Sequence, residues 1–462
     1  MFEKFSTTFI FYWLCTFPSL VQTQTNLFRG YAGKVDGKID DVITTPLKND
    51  MPFPLVGLGV GNLQRNLVEN MIHQGLEAQH RIRTIDTAHQ SGNEREVARG
   101  IVTGVKAFKE SENSDGRVQV HVVTKIWYTY LGYERTKIAI DEIIEDLQDA
   151  IKDPNVDLKV TILIHWPRCY DTIPWMDCVK EEEQLPARVK EAGPPPHLDR
   201  LNAWKMSWMA LEDAYLSADY PVVSGIGISN FDRLELSTLL ANARVVPHLI
   251  QVNTWTLLHN PTELDICHEN GILVQVYNVM NGIMGHVFNN PNAHHHLLMV
   301  ANQLGKLAIL SGTVKKDFKV TTAQVVLKFL VQSKVSVIPK TSNRDRLAEN
   351  SAVALMQIPD MNMEQMEIVR ASMAALLDNK DLAVDVRVTV RFHARKVDMF
   401  VYWVSGDDEE RQVAFVPAGD TFEEHTFPGH RFKAYNAQDP DQFKSFVIQG
   451  QYGDEVDIQV EL

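Results

Sequence analysis

The chain has 462 residues, 45% of them hydrophobic and 23% charged, a balance ordinary for a soluble globular protein. At roughly 150 residues per domain, that length predicts two or three domains. The formal net charge of −14 argues against a general nucleic-acid binder, and no basic cluster marks a membrane-surface patch.

The N-terminal run Phe5–Val21 is nearly free of charge and rich in Phe, Ile, Leu and Trp. Lys4 and Glu3 precede it, and Ser19, Val21 and Thr23 offer cleavage points. Residues 1–23 are expected to be a secretory signal peptide, which places the chain in the secretory pathway, either secreted or in the endoplasmic reticulum lumen. An uncleaved membrane anchor is the alternative, and an apolar tail without targeting value is a third reading. Cys15 would leave with the signal. Cys169 and Cys178 lie in one loop and form either an oxidised pair or, with Cys267, three scattered thiols. Neither a CxxC nor a Cys/His spacing points to zinc, and the adjacent His294, His295 and His296 cannot all face one ion, so no metal is expected.

Residues 24–44 are polar and irregular and read as a linker. From about residue 45 to 378, strand-like and helix-like segments alternate. The strands are Pro54–Val60, Arg81–Ile85, Val118–Thr124, Leu158–Ile164, Val222–Ile228, Leu249–Val252, Ile272–Tyr277 and Val335–Pro339. Helices are predicted at Glu94–Lys109, Thr136–Ile151, Trp204–Leu216, Asp232–Leu240, Thr262–Glu269 and Thr321–Gln332. Such alternation implies a parallel sheet covered on both faces. Eight strands over this length suit a (β/α)8 TIM barrel, an α/β fold. A doubly wound open sheet ranks lower, because no GxGxxG follows the first strand. Glu110–Gly116 is a polar surface loop. Arg168–Asn202 is a long loop that should hang over the face where the strands end, and Asn281–Lys319 is a partly helical insertion.

The composition changes after Asp378. Short strands at Val384–Val390, Met399–Val404, Gln412–Val416, Arg431–Ala434, Phe446–Gln449 and Val456–Val460, with turn signals such as Ser405-Gly406-Asp407-Asp408, define a small all-β sandwich over residues 384–462.

Motifs sit at the ends of the barrel strands. Asp86 closes the second, in Asp86-Thr87-Ala88-His89-Gln90-Ser91-Gly92-Asn93-Glu94. Pro54-Leu55-Val56-Gly57-Leu58-Gly59, Thr124-Lys125-Ile126-Trp127, Leu163-Ile164-His165-Trp166-Pro167, Gly227-Ile228-Ser229-Asn230-Phe231 and Val337-Ile338-Pro339-Lys340-Thr341 follow in order. Arg346-Leu347-Ala348-Glu349-Asn350 lies just beyond the last of these. Together they resemble the signatures of the aldo-keto reductases, from about Thr45 to Met373. The resemblance implies an NADP(H)-dependent oxidoreductase acting on small carbonyl or alcohol substrates. Asp86, Lys125 and His165 match the family's catalytic Asp, Lys and His. Ser229, Asn230 and Gln251 match the residues that hold the nicotinamide carboxamide, and Tyr277 the aromatic that stacks on its ring. Lys340, Thr341 and Arg346 match the contacts to an adenosine 2′-phosphate, where a guanidinium suits phosphate oxygens. Glu349 and Asn350 match the adenine contacts. One position departs: the fifth residue after Asp86, a catalytic Tyr in the family, is Ser91. A hydroxyl so weakly acidic predicts a slowed reductase, with His89, Tyr128, Tyr130 or a water on Ser91 as other proton sources. The alternative is a catalytically silent NADP(H)-binding protein that works through its C-terminal domain.

That domain, from Arg387 to about Ala437, resembles the β domain of the von Hippel–Lindau tumour suppressor. The likeness rests on Val390-Arg391-Phe392-His393-Ala394-Arg395, Val401-Tyr402-Trp403, Val416-Pro417-Ala418-Gly419 and Thr426-Phe427-Pro428-Gly429-His430-Arg431-Phe432. It implies recognition of a protein or peptide, with Thr426, His430 and Phe432 at the family's hydroxyproline-pocket positions and Val413 where the pocket has Tyr. The plainer reading of these aromatics is a sandwich core.

Overall fold

The computed structural model of the chain describes residues 34–35, 38–39, 43–382, 387–404, 410–427, 430–449 and 455–462. The expected signal peptide and most of the linker lie outside them. The chain divides into two compact units, one within Phe28–Gly285 and Ala301–Asp360, the other holding His286–Val300 and Met361–Leu462.

The first unit is an eight-stranded parallel sheet. Its strands are β1 (Gly57–Gly59), β2 (Thr84–Asp86), β3 (Val118–Ile126), β4 (Val156–Ile164), β5 (Val223–Ser229), β6 (Leu249–Asn253), β7 (Leu273–Tyr277) and β8 (Ser336–Val337). They pair in chain order, and Val337 bridges back to Val56, so the sheet closes on itself as a barrel. Val337 N donates to Leu55 O at 2.8 Å and Gly59 N to Pro339 O at 3.2 Å across the seam. The strands are apolar along nearly their whole length because both faces are covered. Gly227 shows how tight the wall is: an added Cβ would land on the carbonyl oxygen of Leu249 and 2.6 Å from Leu163 Cδ2.

Helix Glu94–Glu112 follows the expected amphipathic face, burying Val97, Ile101, Val105 and Phe108. The helix expected at Thr136–Ile151 is instead two, Tyr133–Asp146 and Gln148–Lys152, broken at Leu147, whose backbone leaves helical geometry. Two helices the sequence reading did not draw out, Arg65–Leu76 and Met363–Asp378, also form. Arg168–Asn202 carries the short helices Cys178–Gln184 and Ala187–Glu191, and its cysteines Cys169 and Cys178 form a disulfide with Cα atoms 6.0 Å apart. No described helix is long and apolar enough to cross a membrane.

In the second unit, β9 (Val388–Ala394), β10 (Met399–Val404), β11 (Glu410–Val416), β12 (Thr421–Thr426), β13 (Arg431–Asn436), β14 (Phe443–Val447) and β15 (Glu455–Val460) make two sheets, ordered β12-β9-β15 and β11-β10-β13-β14. Alternate residues of β9 point into a core shared with Met399, Val401, Val416, Phe432, Ala434, Ile448 and Val460. β9 is described from Val388, and the expected start at Val384 lies outside the described residues; β14 starts earlier than the expected Phe446, and β12 was not foreseen.

Candidate functional site at the barrel mouth

Asp86 ends β2, Lys125 lies near the end of β3, and His165 follows β4, so three strands deliver them to one end of the barrel. Lys125 Nζ donates to Asp86 Oδ2 at 2.7 Å and to Thr87 O at 2.6 Å. On the other side, Gln251 Nε2 donates to Asp86 Oδ2 at 2.5 Å and to Gln275 Oε1 at 2.6 Å, and Gln275 Nε2 donates to Ser336 Oγ at 3.0 Å. A chain of buried polar groups therefore links β3, β2, β6, β7 and β8. Burial pushes the Asp86 carboxyl up, and the Lys125 charge and the bonds from Lys125 and Gln251 only partly pull it back. Gln275 and Ser336 are members that sequence reasoning missed. The signal was present in a polar side chain at the centre of the apolar strand Leu273–Tyr277.

His165 is partly buried, its Nδ1 meets no hydrogen-bond partner among the described residues, and Trp127 lies edge-on to its ring at 4.9 Å. Burial, then the Lys125 charge, holds its imidazole well below the usual range, so it is neutral at physiological pH.

Ser229 ends β5, and Asn230 follows with a positive φ of 59°. That turn lets Asn230 Nδ2 donate to His165 O at 2.9 Å and to Ser229 Oγ at 3.1 Å, while Tyr277 OH donates to Asn230 Oδ1 at 2.6 Å. Ser229, Asn230, Gln251 and Tyr277 thus form one shelf beside His165. Past β8, Thr341 Oγ1 accepts from Asn343 N at 3.0 Å and orders the approach to helix Arg344–Glu349. Lys340 and Arg346 are exposed, and neither has an ion-pair partner among the described residues. Asn350 is buried, and Glu349 accepts a hydrogen bond from Thr321.

Ser91 ends the short turn His89–Ser91, with its Oγ facing Gly61. Its hydroxyl has no hydrogen-bond partner among the described residues. The neighbouring phenols are poor substitutes. Tyr128 OH donates to Glu181 Oε1 at 2.5 Å, and burial followed by that carboxylate pushes it far above the usual phenol range. Burial, then Glu142, pushes Tyr130 up to about 12. His89 Nε2 is held by Glu142 at 2.7 Å, and its Nδ1 is buried. His89, Gln90, Trp127, Thr129, Tyr130, Glu181, Gln184 and Leu185 line a cavity of about 510 Å³ at this corner. No cluster of metal-binding side chains occurs among the described residues.

In the second unit, Thr426 Oγ1 lies 2.8 Å from His430 Nδ1, and the His430 ring meets Trp403 and Phe427. Phe432 packs against Phe392 inside the core.

The closed barrel with polar groups gathered at its mouth defines a (β/α)8 scaffold with a site at the strand ends. The profile of the Aldo/keto reductase family matches residues 56–371, and the chain belongs to that family. It is 25% identical over 313 residues to the NAD(P)H-dependent D-xylose reductase of Kluyveromyces lactis, covering 66% of this chain and 86% of the relative. It is 24% identical over 314 residues to the NADPH-dependent aldose reductase of Saccharomyces cerevisiae, covering 66% and 86%. With the 9,11-endoperoxide prostaglandin H2 reductase of Trypanosoma cruzi it shares 26% over 323 residues, covering 70% and 89%. Among solved structures, an aldo-keto reductase from a Medee basin deep-sea metagenome aligns with a TM-score of 0.49 and 24% identity, over 72% of this chain and 95% of that one. The aldose reductase of Schistosoma japonicum gives 0.49 and 20%, over 72% and 92%. The family acts on small carbonyl substrates, and its membership supports an oxidoreductase using a nicotinamide cofactor.

Proposed function

We propose that the barrel is an NADP(H)-dependent carbonyl reductase in which Ser91 stands where a phenol would. The observation that carries this reading is the meeting of Asp86, Lys125 and His165 at one mouth, beside the shelf of Ser229, Asn230, Gln251 and Tyr277. The donor set fits the cofactor. Lys340 and Arg346 offer unpaired cations for a 2′-phosphate, Glu349 and Asn350 stand where adenine contacts are expected, and the shelf carries amide and hydroxyl groups suited to a carboxamide. When bound, the nicotinamide supplies the hydride. His165, neutral and with an unpartnered ring nitrogen, orients the carbonyl oxygen. Lys125, held by Asp86 and Thr87 O, places positive charge where that oxygen gains electrons. Ser91 Oγ holds the water that hands over the proton.

A second reading has an observation of its own. The nearest phenols, Tyr128 and Tyr130, are tied up or suppressed, which favours a silent cofactor-binding barrel. The C-terminal domain, with its von Hippel–Lindau-like sequence and Thr426–His430 pair, would then recognise a protein partner. We also propose passage through the secretory pathway, which the Cys169–Cys178 disulfide supports.

Calorimetric titration tests the cofactor assignment. NADPH should bind more tightly than NADH, and Arg346→Ala should narrow the difference. Equal affinity for both would remove the 2′-phosphate site.

A further inference from the structure

The loop over the barrel mouth is tied to two of the three strands that carry the site, β3 and β4. Cys169 stands just beyond His165 at the end of β4, and its partner Cys178 is the first residue of helix Cys178–Gln184. One turn further, Glu181 accepts from Trp127 Nε1 at 2.7 Å and from Tyr128 OH at 2.5 Å, both on the segment after β3. Trp127 in turn lies against His165. Trp175, within the ring that the disulfide closes, stacks on Trp127 at 6.1 Å and meets Trp166 at 5.8 Å, yet is 55% exposed. The covalent link completes a circuit that leaves His165 and returns to it through Glu181 and Trp127.

We propose that the Cys169–Cys178 disulfide is a redox-operated latch that holds Trp127 and Trp175 as one wall of the carbonyl pocket, with Glu181 as the positioning residue. The proposal rests on the carbonyl-reductase reading for its kinetic consequence only. A dithiol opens the latch. One thiolate attacks a cysteine sulfur, the second thiol resolves the mixed disulfide, and the donor leaves oxidised while Cys169 and Cys178 gain two electrons and two protons. Both sulfurs are buried, so attack follows local opening of the loop. Once unlatched, helix Cys178–Gln184 no longer keeps Glu181 in register, and substrate must order two free tryptophans on binding. Ordering two large side chains weakens substrate binding about 10-fold. The cofactor shelf stands on β5, β6 and β7 and meets the circuit through the hydrogen bond from Asn230 to the His165 carbonyl, a backbone group that does not depend on the disulfide.

The test compares the full-length protein before and after treatment with dithiothreitol. Acrylamide quenching of tryptophan fluorescence should rise on reduction and fall on reoxidation, and Trp127→Phe should remove most of the change. KM for a small aldehyde should rise about 10-fold while the NADPH dissociation constant stays fixed. The Cys169→Ser/Cys178→Ser double variant should match the reduced protein in both measurements, and Glu181→Gln should raise KM with the disulfide intact. If the double variant does not fold, the reversible treatment of the wild type decides. Unchanged quenching on reduction overturns the latch, as does an equal loss of NADPH affinity, which would mean general loosening. Should no aldehyde be turned over, the reductase reading fails while the quenching result still decides the latch.

Discussion

In the proposed reductase, Ser91 is the residue on which the chemistry turns. Asp86, Lys125 and His165 each stand at or near the mouth end of their own strand. What the sequence could not display is how completely Lys125 is held, by Asp86 on one side and the Thr87 carbonyl on the other. That geometry depends on strand register, as does the relay through Gln275 and Ser336. The fate of the alternative proton donors was equally hidden, since Tyr128 is tied down by Glu181, more than 50 residues away in sequence. With the neighbouring phenols suppressed, Ser91→Tyr should raise aldehyde reduction by ~10²-fold, the low end of general acid catalysis. Adding Lys125→Met should abolish the gain, because the ammonium is what would lower the new phenol's pKa. Steady-state rates on a small aldehyde check both. A Tyr variant that binds NADPH but stays inert would mean that the pocket has diverged at more than this residue.

Among the elements, the long loop Arg168–Asn202 is anchored by a buried pair that its own composition does not announce. Arg135 Nη1 and Nη2 each meet a Glu182 oxygen at 2.8 Å, and the guanidinium also donates to Thr129 O and Gly193 O. Arg135→Met leaves the Glu182 carboxylate buried without its partner, which should cost about 3–5 kcal/mol. Urea unfolding, with the change read at constant slope, measures it. A loss near zero would show that the loop helix does not depend on this anchor. Elements with a single strong period were legible, as in Glu94–Glu112 and Met399–Val404. Those that failed did so for local reasons. Leu147 breaks a continuous apolar pattern through its backbone alone, and strand Thr421–Thr426 has too many charged positions to stand out. Arg65–Leu76 did carry a signal, since Val68, Met71, Ile72 and Leu76 share one helical face.

At the scale of the whole molecule, the (β/α)8 barrel was readable because strands and helices alternate over some 300 residues and the site motifs recur at strand ends. The all-β region was readable from its change of composition. Its aromatic residues left two meanings open, and Phe432 now lies in the core with Phe392. Among the described residues, the buried sandwich core draws on residues after Arg387. A fragment beginning near Lys380 should therefore melt cooperatively by circular dichroism, and a featureless melt would show that it needs the preceding chain. The activity proposed for this barrel is carbonyl reduction with NADPH. Purified full-length protein, supplied with NADPH and a panel of small aldehydes, tests it most directly by following nicotinamide oxidation together with alcohol formed. The expected result is slow, stoichiometric conversion of at least one aldehyde, lost in Lys125→Met. NADPH binding with no turnover of any aldehyde, in the wild type and in Ser91→Tyr alike, would contradict it.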